Sequence, residues 1–229
     1  MKESDLLKYF PRVWHMAEDG SWDSIRKHGL LSTTALLDLY GVTGAERISI
    51  ESQRRPDSVK IHAKGLEGAI IRDNKPLTAS ALNKCLDPDI TPKEWFELLN
   101  ERSFFWLSQD RLRTLLDARA YRGRPQTVLT VDTAKLVTAH RDRIELSPIN
   151  SGSTIYKPQK RGRETFRSIA DYPFDERRRT RTPAASVVEL VVSGGVPDIE
   201  DHLVAVHSIH KGVSKELWRR PGSDADDGP

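Results

Sequence analysis

Glu189 is the residue of this sequence best placed to do chemistry, because it is a lone carboxylate in an apolar segment. In VVELVV, period-2 alternation puts Val187, Glu189 and Val191 on one face of a strand. A buried carboxylate is costly unless it is paired, so Glu189 must form an ion pair, reach a sheet edge or line a cleft. In a cleft it can act as a catalytic group, and an edge position or a structural ion pair is the alternative.

A histidine and an aromatic run are two further candidate groups. His15 follows Trp14 in RVWHMA and precedes a helix that we expect to start at Ser21. The free backbone N–H groups of that helix start can receive phosphate or ribose oxygens. The run SFFWL at residues 103–107 can stack on a flat ring. A structural histidine and ordinary core packing are the alternatives.

Basic residues are concentrated late in the chain, although the net charge is only +3. Between Lys157 and Arg181 there are nine Lys or Arg against four Asp or Glu. Such a segment can bind a polyanion, and a solvated loop is the alternative. The candidate nucleic-acid-binding residues are Lys160, Arg161, Arg163, Arg177, Arg178 and Arg179.

Composition limits the class of protein that can carry these groups. The 229 residues are 37% hydrophobic, which suffices for a packed core. No apolar run approaches the roughly 20 residues that cross a bilayer, and the start MKESDLLKYFPR has no signal-peptide core. Cys85 is the only cysteine, which excludes an internal disulfide framework and agrees with a reducing compartment. We therefore expect a cytoplasmic protein.

The helices and strands that the sequence predicts around these groups indicate a single α+β domain over residues 1–218. We expect a disordered tail at 219–229. Thr91, Pro92 and Glu94 form the clearest helix start, a capping box with proline at the first helical position. Thr33 or Thr34 is expected to cap the next apolar stretch after the Ser21 helix. Strands are expected at 103–107, 126–131, 143–146, 186–192 and 203–209. Since helices do not alternate regularly with strands, we expect a central, mostly antiparallel sheet.

Metal chemistry is not expected from the histidine-rich end of the chain. His202, His207 and His210 lie near two acidic residues, but strand alternation points His207 and His210 to opposite faces. No GxxxxGK[ST] or GxGxxG phosphate loop is present, so any nucleotide must bind in a pocket of another kind.

The order of these groups resembles the ADP-ribosyltransferase superfamily, and most closely the DNA-modifying toxins called DarT. WHMA with GLLS, then SFFWLS, then PAASVVELVVSGGVPDI is similar to the His, aromatic, Glu series of these enzymes. Val196 and Pro197 match the Val-Pro element that follows the glutamate strand. The resemblance covers most of residues 11–209 and implies a split, mostly antiparallel sheet.

The resemblance implies that NAD is the co-substrate and gives each matched position a role. His15 would hydrogen-bond the adenosine-side ribose, Phe104 or Phe105 would stack on nicotinamide, and Glu189 would act at the nicotinamide ribose. There a carboxylate stabilises an oxocarbenium-like ribosyl cation and orients the 2′-OH. The cofactor-binding residues it implies are His15, Gly29, Ser32, Phe104 and Phe105.

Two departures from the family pattern concern the aromatic site and the arginine. Phe and Trp stand where many relatives have Tyr, which keeps the stacking and loses a hydroxyl. Arg72, the last residue of AIIR, is the first candidate for a catalytic or diphosphate contact. The alternative is that it lies at a strand end and faces solvent. The sequence SPINSGST at residues 147–154 predicts a turn that either lies near the site or is only a turn.

The function that the resemblance implies is mono-ADP-ribosyl transfer to a nucleic acid, with DNA favoured over RNA, by a toxin or defence enzyme. The implied partners are the nucleic-acid acceptor and an antitoxin or ADP-ribosyl hydrolase, with no membrane. NAD hydrolysis and RNA 2′-phosphate transfer on the same fold remain open, as does a non-enzymatic nucleic-acid-binding module in which Glu189 is structural.

Overall fold

Eight strands form one antiparallel sheet that runs through the computed structural model, which describes residues 1–155 and 157–229. The order of strands across this sheet is β12-β11-β6-β1-β5-β9-β7-β8, and two short two-stranded ladders, β2 with β10 and β3 with β4, lie outside it. The strands are β1 Arg12–Glu18, β2 Leu30–Leu31, β3 Val59–Ile61, β4 Ala69–Ile71, β5 Arg102–Trp106, β6 Gln126–Asp132, β7 Ile144–Ser147, β8 Arg167–Ser168, β9 Glu189–Ser193, β10 Gly195–Val196, β11 Leu203–His210 and β12 Val213–Arg219. This confirms the expected single α+β domain with a large antiparallel sheet.

Helices pack on both faces of the sheet. They are α1 Glu3–Tyr9, α2 Trp22–His28, α3 Thr33–Leu39, α4 Gly44–Glu51, α5 Ala79–Cys85, α6 Pro92–Asn100, α7 Gln109–Leu116, α8 Thr133–His140, α9 Phe174–Arg178, α10 Pro183–Ser186 and α11 Ile199–His202, with short 3-10 turns at Arg141–Arg143 and Arg163–Thr165. Within the two described stretches, none of these helices has the length and apolar character needed to cross a membrane.

The local sequence signals predict the start of α6 and are wrong at two other boundaries. The capping box at Thr91 is present, with Thr91 Oγ1 accepting from Glu94 N at 3.2 Å and Glu94 Oε2 accepting from Thr91 N at 2.8 Å. The cap of α3 is Ser32 rather than Thr33 or Thr34, because the Ser32 hydroxyl accepts from Ala35 N at 3.2 Å. The glutamate strand begins at Glu189 rather than Ser186, because residues 183–186 form the short helix α10, capped by Thr182.

The sheet opens between β1 and β5. β1 pairs with β6 along its whole length, from Arg12 to Glu18, but pairs with β5 only where Trp14 meets Trp106. β5 in turn pairs with β9 throughout its length. The split therefore lies between the histidine strand and the two strands that carry the aromatic run and Glu189.

The chain segments after β1 and after β9 meet beside this split. β2 pairs with β10 through Leu30 and Val196, and Ser103 Oγ at the start of β5 donates to Leu30 O at 3.2 Å. Gly29 stands at φ 87° and ψ 171°, a region that is essentially reserved for glycine. A Cβ at Gly29 would lie 2.4 Å from the Pro197 backbone. Glycine is thus required here by both conformation and contact.

The end of the chain packs against β1 and α7, which differs from the expected disordered tail at 219–229. Arg219 is the last residue of β12. Arg12 Nε donates to Asp227 Oδ1 at 2.8 Å, and Gln109 Nε2 donates to Gly228 O at 2.9 Å. The tail has no apolar anchor, and the charged pair between Arg12 and Asp227 fixes it instead.

Gly29→Ala is expected to destabilise the fold by more than about 3 kcal/mol, because strain at the glycine-only conformation adds to a backbone clash. The matched control is Gly20→Ala, where φ is 76° but no atom lies within 4 Å of the added Cβ. That control is expected to cost only about 1 kcal/mol, the strain of a left-handed alanine. Urea unfolding of both variants measures the difference, and equal losses would show that the Pro197 contact is unimportant.

Candidate functional site

The Glu189 carboxylate is buried at the first residue of β9. Its side chain is 4% exposed, and both of its oxygens accept from Ser151 N at 3.2 Å. Burial raises the pKa of Glu189 to about 7, while the hydrogen bonds from Ser151 and the charges of Arg161 and Arg111 act in the opposite direction. The carboxylate is therefore only partly compensated, and it titrates near neutral pH.

The turn in SPINSGST is the element that holds this carboxylate. β7 ends at Ser147, directly opposite Glu189 in the sheet, and the turn brings Ser151 back over β9. Ser147 Oγ donates to Ile149 O at 2.9 Å and accepts from Ile149 N at 3.2 Å, which fixes the start of the turn. Of the two interpretations of this segment, the structure thus supports the turn at the site.

Arg161 is part of the same site, which corrects its assignment to the nucleic-acid-binding surface. It is 2% exposed, and its guanidinium lies 5.9 Å from the centre of the Trp95 ring. Its Nη1 donates to Ser151 O at 3.0 Å and its Nε donates to Gln159 O at 3.1 Å. A guanidinium enclosed in this way holds the Ser151 turn and cannot reach a surface ligand. The sequence signal for Arg161 was the cluster of basic residues around it. Such a cluster does not show which of its arginines are buried and which are exposed.

Arg111 is a site residue that sequence analysis missed. It lies on α7, and its charge acts on Glu189. Burial lowers the pKa of Arg111, and the charge of Glu189 raises it. In the sequence it is one of several arginines on an amphipathic helix, with no pattern to distinguish it.

His15 is half-buried on β1 at the split in the sheet. Its Nδ1–H donates to Phe104 O at 2.8 Å, and its ring meets Phe105 edge-on at 5.9 Å between centroids. Burial lowers the pKa of His15 to about 4, the hydrogen bond to Phe104 opposes this shift, and the charge of Arg72 adds to it. The ring is therefore neutral at physiological pH, and its Nε2 is left as a hydrogen-bond acceptor.

His15 and Glu189 lie two strands apart in the sheet, and their side chains point to opposite faces. Trp14, Trp106 and Glu189 form one cross-strand row, so these three side chains share a face. His15 follows Trp14 and points to the other face, where it contacts Phe105. Two strand spacings, roughly 10 Å, separate the two backbones. The split between β1 and β5 lies between the two strands that carry these side chains.

The aromatic run divides between the core and the site. Phe105 is 0% exposed within the main hydrophobic cluster, so it cannot stack on a ligand, which corrects its assignment. Phe104 is half-buried and packs edge-on against Phe166 at 6.2 Å. Trp106 is half-buried and lies directly opposite Glu189. Trp106 is thus the aromatic side chain directly opposite the carboxylate.

Arg72 is held away from Glu189, which corrects its assignment as a catalytic residue. Its Nη2 donates to Gln126 Oε1, its guanidinium stacks on Tyr121 at 5.1 Å, and its Nη1 lies 3.8 Å from Glu18 Oε1. Glu18 and Gln126 are the paired ends of β1 and β6, on the side of the sheet away from β9. Arg72 acts on the site only through its charge, which helps to keep His15 neutral.

Ser32 and Gly29 lie in the segment beside the split, where their groups make contacts within the protein. The Ser32 hydroxyl caps α3 and the residue is 1% exposed, which corrects its assignment as a cofactor-binding residue. Gly29 packs against the backbone of Pro197.

The remaining basic candidates are at the surface. Lys160, Arg178 and Arg179 are exposed, and Arg163 pairs with Glu94 at 2.8 Å. Arg177 is half-buried because its Nε donates to Ser186 O at 2.9 Å. Arg177, Arg178 and Arg179 lie at or just after α9, and α10 follows and leads directly into Glu189.

One group of side chains among the described residues has the composition of a metal site. The ligand atoms of His140, Asp198 and His202 lie within 4.8 Å of one another. Arg143 Nη2, however, donates to His140 Nδ1 at 2.7 Å, so His140 Nε2 carries the proton that it donates to Asp198 at 2.7 Å. A protonated nitrogen cannot bind a metal, so this group is a hydrogen-bonded cluster that anchors the turn after β9.

Two cavities, of about 390 and 470 Å³, flank β1. The smaller lies against Trp14 and the start of α7, and the larger lies against Glu18 and Asp73. Neither His15 nor Glu189 lines either cavity. Because Ser151 N donates to both oxygens of Glu189, a ligand that binds these oxygens competes with the Ser151 turn.

A model described as "Family of unknown function (DUF7002)" matches residues 11–203, which include the histidine strand, the aromatic run and the glutamate strand. No curated protein matches the chain.

Glu189→Gln is expected to remove a pH-dependent loss of stability. The pKa of this carboxyl is about 7 in the folded protein against 4.5 without burial, so wild-type stability is full below pH 4.5 and falls as the pH rises through 7. The free energy of unfolding of the wild type falls by about 3 kcal/mol over this range. The variant does not show this fall, because glutamine carries no charge. Urea unfolding at pH 5 and pH 8 measures it, with exposed Glu46→Gln as the control. A stability difference between Glu189→Gln and wild type that is the same at both pH values would contradict the burial argument.

Proposed function

We propose that this chain, which belongs to the DUF7002 family, is an NAD-dependent mono-ADP-ribosyltransferase that modifies a nucleic acid. The observation that carries the proposal is the buried, partly compensated Glu189 carboxylate beside the split between β1 and β5. A structural ion pair would neutralise the group more fully and would depress its pKa rather than raise it to about 7. Strongly shifted carboxylates of this kind are concentrated at functional sites.

The chemistry suits a carboxylate in a site with little water. Cleavage of the bond between ribose and nicotinamide leaves positive charge on the ribosyl ring, and a carboxylate stabilises that charge best where the local dielectric is low. The ionised form of Glu189 is the active one, and it also orients the 2′-OH of the ribose. Glu189 then accepts the proton that the acceptor loses when it attacks the ribosyl carbon.

His15 is suited to hold the other ribose. Its ring orientation is fixed by Phe104 O, and its neutral Nε2 can accept a hydrogen bond from a ribose hydroxyl across the split. Trp106, the aromatic side chain directly opposite Glu189 in the sheet, takes the nicotinamide-stacking role in this proposal.

The Ser151 turn must leave the carboxylate when NAD binds. Ser151 N now occupies both carboxylate oxygens, and Arg161 holds the turn in place through Ser151 O. NAD thus replaces one backbone donor with ribose hydroxyls, and Arg161 and Arg111 remain as the cations that keep Glu189 ionised.

The nucleic-acid acceptor is supported by the surface next to β9. Arg178, Arg179 and Arg181 are exposed along the segment that leads into Glu189. Arginine guanidinium groups bind phosphate oxygens without sequence preference, so this segment can hold a strand with one nucleotide near the reacting ribose.

Wild-type protein incubated with NAD is expected to release nicotinamide when DNA or RNA is present and to label that nucleic acid. Glu189→Gln is expected to lower the rate at least about 100-fold, the usual cost of losing an electrostatic catalyst. The wild-type rate is expected to rise with pH up to about 7 and then level, following the pKa of Glu189.

Glu46→Gln, which removes an exposed carboxylate of α4, is the matched control and is expected to retain the wild-type rate. Release that needs no acceptor would identify NAD hydrolysis instead, and transfer of a phosphate from RNA would identify the phosphotransferase alternative. No release in any condition would leave only the binding-module alternative.

Arg178 and Arg179, changed together to Ala, are expected to weaken binding of single-stranded DNA and to reduce its salt dependence. The slope of log K against log salt concentration is expected to shrink by about 0.7 for each lost phosphate contact. Fluorescence anisotropy over a salt series measures this slope. Arg119 and Arg122, exposed arginines beyond α7, provide the control pair. An unchanged slope in the first variant would remove this segment from the acceptor surface.

A further inference from the structure

The larger cavity, of about 470 Å³, lies between the β3–β4 ladder, the end of β1 and the turn that follows α7. Its lining includes Glu18, Ser58, Lys60, Ile70, Ala120 and Arg124. Its volume falls within the roughly 300–1,000 Å³ range of small-molecule sites. The residues to which the proposed reaction gives a role do not line it, so its groups are available to another ligand.

One wall of this cavity carries a buried carboxylate with an uncommitted oxygen. The Glu18 side chain is 8% exposed. Its Oε1 accepts from Ser58 Oγ at 2.9 Å and from Arg124 Nη2 at 3.3 Å, whereas its Oε2 accepts no hydrogen bond from any residue that the structure describes. Oε2 is not fully enclosed, so it is open to the cavity that Glu18 lines. Because a carboxylate oxygen is costly to bury without a partner, this oxygen is complementary to an N–H donor.

Arg124 lies beside this carboxylate and keeps two of its three nitrogens uncommitted. Its Nη2 is 3.3 Å from Glu18 Oε1 and 3.6 Å from Asp73 Oδ2, and its Nε and Nη1 make no hydrogen bond within the described chain. The Arg124 side chain is 45% exposed, so these N–H groups can reach the carboxylate of a ligand. Glu18 and Arg124 therefore offer a free acceptor and free donors side by side.

Lys60 adds a second cation to the cavity. In the β3–β4 ladder it lies directly opposite Ile70, so the two side chains share a face, and both line the cavity. Lys60 is exposed and pairs with no carboxylate in the described part of the chain, whereas Lys75, the other lysine of the lining, pairs with Asp57 at 3.6 Å. Lys60 can therefore bind an anionic group of a ligand, and Ile70 offers apolar surface to its carbon chain.

We propose that this cavity binds an acidic α-amino acid. In such a molecule the ammonium and carboxylate groups are attached to one carbon, which suits the adjacent Glu18 and Arg124. The ammonium group donates to Glu18 Oε2, the α-carboxylate accepts from Arg124, and the side-chain carboxylate pairs with Lys60. Inorganic phosphate lacks a donor for Glu18 Oε2, and a polyamine places positive charge against Lys60. This site goes beyond the proposed function and does not depend on it.

Isothermal titration calorimetry of the full chain with L-glutamate and L-aspartate tests the site. At least one of them is expected to bind with a Kd below about 1 mM. The corresponding dicarboxylate, which lacks the ammonium group, is expected to bind at least about tenfold more weakly, the usual effect of losing a hydrogen bond to a charged group. The corresponding amide, L-glutamine or L-asparagine, is expected to bind about two- to fivefold more weakly, since it loses an exposed ion pair.

Four variants locate the binding site. Lys60→Gln is expected to remove the preference for the acid over its amide, while Lys64→Gln, an exposed lysine of the same hairpin outside the lining, is expected to keep it. Ala120→Trp fills the cavity from an exposed position and is expected to abolish binding. Ala134→Trp adds the same bulk to an exposed position of α8 and is expected to bind as wild type does.

A Kd above about 1 mM for both amino acids would overturn the proposal. Equal binding of the amino acid and either analogue, or undiminished binding by Ala120→Trp, would do the same, because the contacts that define the site would then be unused. The titrations contain neither NAD nor nucleic acid, so their outcome is independent of the proposed transfer reaction. Failure of one proposal leaves the other unaffected.

Discussion

The constraint on which the rest of this structure depends is the cost of keeping the Glu189 carboxylate in a dry, apolar strand. The protein offers it one backbone N–H and two arginine charges, and these leave its pKa well above that of a free glutamate. A chain selected only for stability would replace this side chain with an apolar one of similar size. The fold therefore carries an energetic penalty at β9 that is understandable when the carboxylate acts on a ligand.

The split in the sheet lies one strand away from this buried group. β5 stays paired with β9 and supports Glu189 from one side, while β1 separates from β5 after Trp14. His15 uses the gap to hydrogen-bond Phe104 O, so the opening is held by a defined contact rather than left as a defect. Gly29, packed on the Pro197 backbone, ties the chain after β1 to the chain after β9. The two halves of the candidate site are thus connected both across the sheet and outside it.

Local sequence signals predict those parts of this arrangement that depend only on residues near one another in the chain. Alternation along VVELVV predicts that Glu189 is enclosed, and the capping box at Thr91 predicts where α6 begins. The burial of Arg161 and the nearness of Arg111 could not be predicted, because both follow from contacts between distant segments. Phe105 and Trp106 illustrate the same limit, since adjacent aromatic residues differ in role only through the face each takes in the finished sheet.

Two arginine charges near the Glu189 carboxylate favour its ionised form. Arg161 donates to the Ser151 turn and Arg111 lies on α7, and the charges of these two partly desolvated cations both act on Glu189. In the proposed reaction, a substrate that displaces Ser151 removes a neutral donor and leaves both charges, so the negative charge of Glu189 is retained when positive charge forms on the ribosyl ring. A single base near neutral pH can then stabilise that charge and receive a proton in the same cycle, because both tasks need the ionised form first and the protonated form only afterwards. The proposed reaction needs such an incompletely paired glutamate, because a stronger ion pair would make the carboxylate too weak a base.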